Sequence, residues 1–235
     1  MSDTDIGGDQ DDETVKSGTA LADTKSSPSL SCLQVLRPPD KFFGGIKYTP
    51  SSPAWDCTWS RDGTWLAACY GSPDPCIRIW QHSETSWTLS ATLEGIHTRT
   101  IRSLSFAPTQ IPILASASFD GTIAICEYSD KDWECTAQLE GHDNEVKCVR
   151  WNATGSLLAT CGRDKTVWLW ECFLPGTIGG PDLITNDAAG GDFECIAVLN
   201  GHEGDVKCVE FAPSHGQWGD GGCNDIFKWV NLTMT

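Results

Sequence analysis

The chain is short of positive charge. Sixteen Lys and Arg stand against 32 Asp and Glu in 235 residues, a formal net charge of −16. A surface that acidic repels phosphate backbones, which argues against direct nucleic-acid binding and suits a protein whose partners are other proteins. Long apolar runs are also missing. None approaches the roughly 20 residues of a membrane-spanning helix, so no membrane partner is expected. The opening MSDTDIGGDQDDE has neither the basic nor the apolar region of a secretory signal, and its acids are the reverse of a mitochondrial presequence. The expected compartment is the cytoplasm, with the nucleus left open. Twelve cysteines are present, yet no C-x-x-C and no H-x-x-x-H. The spacing therefore points to no metal site and no resident cofactor. Stretches such as GTIGGPD lack the GK[ST] ending of a phosphate-cradling loop.

What the chain does have is a segment spelled three times. Residues 87–106 read WTLSATLEGIHTRTIRSLSF, residues 133–151 WECTAQLEGHDNEVKCVRW, and residues 193–211 FECIAVLNGHEGDVKCVEF. Each copy is a β-like run, a turn carrying Gly and His, and a second β-like run. The turn histidines are His97, His142 and His202, spaced by 45 and then 60 residues, and the insertion 174–191 accounts for the excess. A Gly-His turn and a Trp-ended strand at this period are the signature of a WD-repeat β-propeller, an all-β fold and a binding scaffold.

Four short strands per repeat follow from the alternation and the turns. WDCTWS, TWLAACY and CIRIW open blade one. IRSLSFAP, ILASASFDG, TIAICEY and DWECTAQL make blade two. VKCVRWNATG, LLATCGRDK, TVWLWE and FECIAVL make blade three. A fourth blade begins with VKCVEFAPS and then gives way to a Gly-rich stretch that is poor strand material. The expected fold is an incomplete propeller of about three blades plus the start of a fourth, an open ring that suggests a truncated chain. Residues 1–30, with seven acids, two lysines and no aromatic, are expected to be a disordered tail. Residues 31–213 form the blades, with a strand at 29–36, and 214–235 an off-pattern tail. Without a secretory signal the cysteines are expected as reduced thiols. Cys148 and Cys208 share one slot of successive turns, and Cys135 and Cys195 another, so all four should act as small apolar strand residues.

His142, Thr160 and Asp164 mimic a nucleophile–base–acid triad. A buried structural network explains them better. The turn His, a strand Ser or Thr, a turn Asp and a strand Trp satisfy one another and lock each blade. Blade three supplies His142, Thr160, Asp164 and Trp170. Blade two supplies His97, Ser116 and Asp120, with Cys126 where Trp would stand, and His202 begins the set again. A set that recurs by blade is scaffold, so no catalytic residue is expected and the protein is read as a non-enzyme. Arg163, just before Asp164, lies where the turns emerge, and its blade-two equivalent is Phe119. These two, with Arg99, are the candidate partner-binding residues, since Arg and aromatics anchor interfaces. A merely solvated arginine is the alternative.

The string EGHDNEVKCVRWNATGSLLATCGRDKTVWLWE (140–171) goes beyond the generic repeat. It resembles the cytosolic iron–sulfur assembly WD-repeat family, with support from HTRTIRSLSF, LASASFDGT and FECIAVLNGHEGDVK, over about residues 31–212. That resemblance implies a seven-bladed, non-enzymatic propeller in the complex that targets iron–sulfur clusters to cytosolic and nuclear apo-proteins. Its partners would be the other subunits of that complex and the apo-protein clients. It also implies that Arg163 matches the family's surface arginine. The other functions weighed are a different WD-repeat adaptor, such as a ubiquitin-ligase substrate receptor or a signalling scaffold, and a Ser/Thr hydrolase.

Overall fold

The computed structural model describes residues 32, 34–37, 40–43, 46–48, 52–175, 191–212 and 227–230. The strand order is all-β: a hairpin of β1 (Lys41–Phe43) and β2 (Ile46–Tyr48), three four-stranded sheets, and a final pair. Blade one is β3 (Ala54–Trp59), β4 (Trp65–Tyr70), β5 (Cys76–Ser83) and β6 (Ser86–Glu94). Blade two is β7 (Ile101–Phe106), β8 (Ile113–Ser118), β9 (Ile123–Ser129) and β10 (Asp132–Leu139). Blade three is β11 (Val146–Trp151), β12 (Leu157–Gly162), β13 (Val167–Phe173) and β14 (Asp192–Leu199). Each is an antiparallel meander in sequence order. Strands β15 (Cys208–Phe211) and β16 (Phe227–Val230) pair antiparallel, so a strand stands inside the tail expected to be off-pattern. The strand anticipated at 29–36 differs too: residues 32 and 34–36 take no strand conformation. A short segment stopped by Pro38 and Pro39 holds no strand geometry without a sheet to join. Residues 1–30 and most of the 174–191 insertion lie outside the described residues.

The blades repeat in detail. Register slips by a residue near the start of each first strand, at Ala54/Asp56, Ile101/Ser103 and Val146/Cys148. It slips again between third and fourth strands, at Ile79/Trp80, Cys135/Ala137 and Leu169/Trp170. Such bulges add local twist and bend the strand that carries them.

The core lies between blades. Ile77 and Ile79 of blade one pack with Leu104, Leu114 and Trp133 of blade two. Ile123 and Ile125 of blade two pack with Val149, Leu158 and Trp170 of blade three. Cys161 and Val167 of blade three pack with Val206, Val209 and Phe211 of the β15 segment. A sheet between two neighbours buries both faces, and the central strand β8 is buried at every position. In blade one, β4 alternates buried and half-buried, and Trp59 keeps 54% of its surface exposed. The innermost strands are cross-tied by Arg150 on β11. Its guanidinium donates to Ser103 Oγ (2.9 Å) and Leu104 O (3.1 Å) on β7 and reaches Glu210 on β15 at 3.3 Å.

Candidate partner-binding surface

The surface rests on the buried networks beneath it. In blade three a hydrogen-bond chain runs without a gap. Trp170 Nε1 donates to Thr160 Oγ1 (3.1 Å), Thr160 Oγ1 lies 2.8 Å from His142 Nε2, and His142 Nδ1 lies 2.6 Å from Asp164 Oδ2. A histidine protonated on Nδ1 gives every member a partner: indole to hydroxyl, hydroxyl to imidazole, imidazole to carboxylate. The other carboxylate oxygen accepts from Thr166 N (3.1 Å) and Thr166 Oγ1 (2.8 Å), closing the β12–β13 turn. The Gly of the Gly-His motif has a steric reason. A Cβ on Gly141 would collide with the Trp168 ring, which also packs on His142 at 5.2 Å.

Blade two repeats this with less. His97 Nε2 lies 2.8 Å from Ser116 Oγ, while Nδ1 lies 3.1 Å from both Asp120 Oδ2 and Thr122 Oγ1. Cys126 supplies no indole. Burial by itself raises both aspartates. Hydrogen bonds from the histidine and from Thr122 or Thr166, with the electrostatic attraction of the histidine, outweigh it and hold Asp120 and Asp164 below the ordinary carboxylate value. Thr160 and Ser116 are fully buried, so neither hydroxyl is open to a substrate. His202 is half-buried, and residues 213–226, which would complete its set, lie outside the described residues.

Because the aspartates are fixed inward, the residues before them face outward. Arg163 N donates to Glu145 O at 2.8 Å, and Phe119 N donates to Thr100 O at 2.9 Å, so the two turns dock on their sheets alike. The two candidate arginines then converge on one carboxylate. Arg99 Nη2 reaches Glu145 Oε1 at 2.9 Å, and Arg163 Nη1 reaches Glu145 Oε2 at 3.6 Å. Arg99 also donates to the Phe119 carbonyl. Lys147 Nζ stands 3.5 Å from Glu145 and 3.2 Å from Asp205, which also takes Lys207 Nζ at 2.8 Å. Phe119 is half-buried rather than an exposed anchor. It lies under Arg99 (5.9 Å) and Lys147 (5.3 Å), with Trp55 at 6.5 Å carrying Arg102 over its own ring at 5.3 Å.

Five cations thus gather round two carboxylates and two aromatic rings. Burial raises Glu145. The Arg99 hydrogen bond and the charges of Lys147, Arg163 and Arg99 outweigh that and keep it ionised. Glu145 is only 11% exposed, whereas Arg99 and Arg163 remain 54% and 55% exposed. The carboxylate orients the guanidinium groups and leaves their outer edges exposed. An open groove of about 310 Å³ adjoins them, with Thr98, Asp120 and Asp143 in its wall. The sequence had not singled out Glu145, Lys147 or Trp55. The repeated acid-Val-Lys of NEVK and GDVK was the available signal, since it puts Glu145 and Asp205 beside a lysine in the same turn.

The cysteines divide. Cys148 and Cys161 are buried and Cys208 is half-exposed, but Cys135 and Cys195 are exposed. Their slot lies on each blade's fourth strand, which joins the sheet by one edge only. Among the described residues no group of three or more His, Cys, Asp or Glu is placed to hold a metal ion, and no helix is long and apolar enough to cross a membrane.

Fold, repeated networks and known families agree on the class. The WD40 family (WD domain, G-beta repeat) matches residues 46–81, 133–171 and 193–218, and the described sheets are those of an incomplete WD-repeat β-propeller. Within that class its likeness is to the cytosolic iron–sulfur assembly members, as the blade-three string had implied. It is 34% identical over 219 residues to the probable cytosolic iron-sulfur protein assembly protein 1 of Scheffersomyces stipitis, covering 70% of this chain and 60% of that one. It is 33% identical over 142 residues to the probable cytosolic iron-sulfur protein assembly protein CIAO1 homolog of Caenorhabditis elegans, covering 58% and 41%. A probable cytosolic Fe-S cluster assembly factor of Schizosaccharomyces japonicus is 51% identical over 100 residues, covering 43% and 16%. The chain spans about 60% or less of the length of these relatives.

Proposed function

We propose that the chain is a non-enzymatic scaffold of cytosolic iron–sulfur protein assembly. It docks protein partners on the face built from Arg99, Phe119 and Arg163, so that clusters, as cargo, reach cytosolic and nuclear apo-proteins. Its place of work is the cytoplasm, with the nucleus as a second compartment. The partners are the other subunits of the targeting complex and its clients. The observation that carries this reading is the convergence of two half-exposed arginines on Glu145, in a chain whose net charge is −16. A local cationic patch on an acidic molecule fits an acidic partner surface, and oriented guanidinium groups are common hot-spot anchors. The names of the relatives supply the pathway. Full burial of Thr160 and Ser116 supports a scaffold over a hydrolase.

The test is Arg163→Glu in the whole chain, followed by thermal melting and by co-purification with cytosolic iron–sulfur assembly proteins. Reversing the charge is expected to weaken retention by about tenfold or more, while the melting temperature stays within a few degrees. Unchanged co-purification would remove the surface from the account. A large melting shift would make Arg163 structural.

A further inference from the structure

We propose that Cys148 and Cys208 are an oxidation site, closing under hydrogen peroxide into a disulfide that ties β15 to blade three. The two sulfurs lie 3.9 Å apart, although their residues are 60 apart in the chain. Cys148 is on β11 and Cys208 opens β15, so the contact joins two different sheets. At that separation the sulfurs are in contact, and a disulfide brings them to about 2 Å.

Access and charge favour the reaction. Cys148 is buried and Cys208 is half-exposed, so a small oxidant arrives from the Cys208 side. Hydrogen bonds from the Cys161 and Cys208 thiols outweigh burial and, with the charge of Arg150, hold the Cys148 thiol well below its ordinary range. A thiolate beside a guanidinium is the usual setting of a reactive cysteine. The other thiol pairs are built differently. Cys126 and Cys135 face each other across β9 and β10, and Cys148 and Cys161 across β11 and β12. Both lie within one sheet, where a bond would tie nothing that the strand ladder does not already hold.

The chemistry balances. The Cys148 thiolate attacks one oxygen of hydrogen peroxide; the O–O bond breaks, and the hydroxide that leaves takes up the proton the Cys148 thiol had released, giving the Cys148 sulfenic acid and one water. The Cys208 sulfur then attacks the Cys148 sulfur; the S–S bond forms, the S–O bond breaks, and hydroxide leaves with the Cys208 proton as a second water. Two thiols lose two electrons and two protons, and one peroxide becomes two waters. A dithiol reductant reverses the link by exchange. The structural effect falls on β15, which belongs to a two-stranded sheet and is held to the rest by Val206, Val209 and Phe211 packing on blade three.

The experiment oxidises the reduced full chain with hydrogen peroxide, traps remaining thiols by alkylation, and maps linked peptides. The expected product has lost two hydrogen atoms, with Cys148 and Cys208 in one linked pair. It melts several degrees above the reduced chain, and dithiothreitol reverses both changes. Cys208→Ser should abolish the link and the shift, while Cys135→Ser, at an exposed site, should keep both. Four outcomes overturn the proposal: a Cys148–Cys161 or Cys126–Cys135 link as the main product, a scatter of pairs, over-oxidised Cys148 without a link, or no reaction.

Discussion

In blade three the hydrogen bonds run from Trp170 through Thr160 and His142 to Asp164. In blade two they begin one member later, because Cys126 stands where Trp170 does. The neighbouring position changes as well. Thr160 faces Trp168 across the sheet and Ser116 faces Ala124, while the residue before the histidine is Gly141 in blade three and Ile96 in blade two. Blade one goes further: Ala68 stands at the hydroxyl position, facing Arg78, which is buried over the Tyr70 ring at 4.1 Å. All three sheets keep the same strand order and the same bulges. The network is therefore dispensable by degrees. The apolar surface buried between blades makes the fold, and the hydrogen bonds fix the turns, which decide where Arg163 and Phe119 emerge.

The largest effect should come from making blade three resemble blade two. Trp170→Cys removes a side chain that is 5% exposed and packs between blades, and it also removes the indole donor to Thr160. The expected cost is about 3 kcal/mol, read as a lower denaturant midpoint. A melt within a degree or two of the parent would mean that the tryptophan adds little.

Removing the aspartates should separate the blades next. Asp164→Ala is expected to cost about 1–3 kcal/mol, since it strands His142 Nδ1 and the Thr166 amide. Asp120→Ala should cost less, because His97 Nδ1 keeps Thr122 Oγ1 at 3.1 Å. Equal losses would show that the shorter contact in blade three has no energetic meaning. Acid offers the same comparison without mutation. Both aspartates have folded values below the unfolded one, so their stabilisation is full above the ordinary 3.8 and is lost as pH falls through the depressed folded values. Unfolding midpoints measured downward from about pH 5 should fall less steeply in Asp164→Ala than in the parent.

The smallest effect concerns the turn itself. Lys165 has φ +70° where the blade-two turn uses Gly121 at φ +92°. Lys165→Gly removes left-handed strain that slightly exceeds the entropy cost of glycine, for an expected gain of about 0.5 kcal/mol. A loss of stability in melting experiments would show that the lysine side chain holds the turn in some other way.

Much of this was legible in the chain. Period-two alternation between turn residues placed the strands of all three blades, because one or both faces of every strand must be apolar to pack against the next sheet. The recurring His, hydroxyl and Asp marked the networks, because spacing within a repeat carries its contacts with it. The hairpin of β1 and β2 and the pairing of β16 with β15 were not legible, since both are short and flanked by glycine. Nor was the exposure of Cys135 and Cys195: a fourth strand at the sheet edge alternates like the others but has a neighbour on one side only.

By itself the sequence determined the class of fold and the number of blades and marked candidates for the networks, since each depends on local alternation and on a repeated spacing. It also marked Arg163, Phe119 and Arg99, but as three separate residues. Only the tertiary structure decided that they meet. Glu145 and Lys147 come from the start of blade three, Arg99 and Phe119 from blade two, and Trp55 from blade one, and no spacing within a repeat reports a contact across sheets. The same holds for Cys148 and Cys208, which are equivalent by repeat and yet touch because successive innermost strands lie side by side.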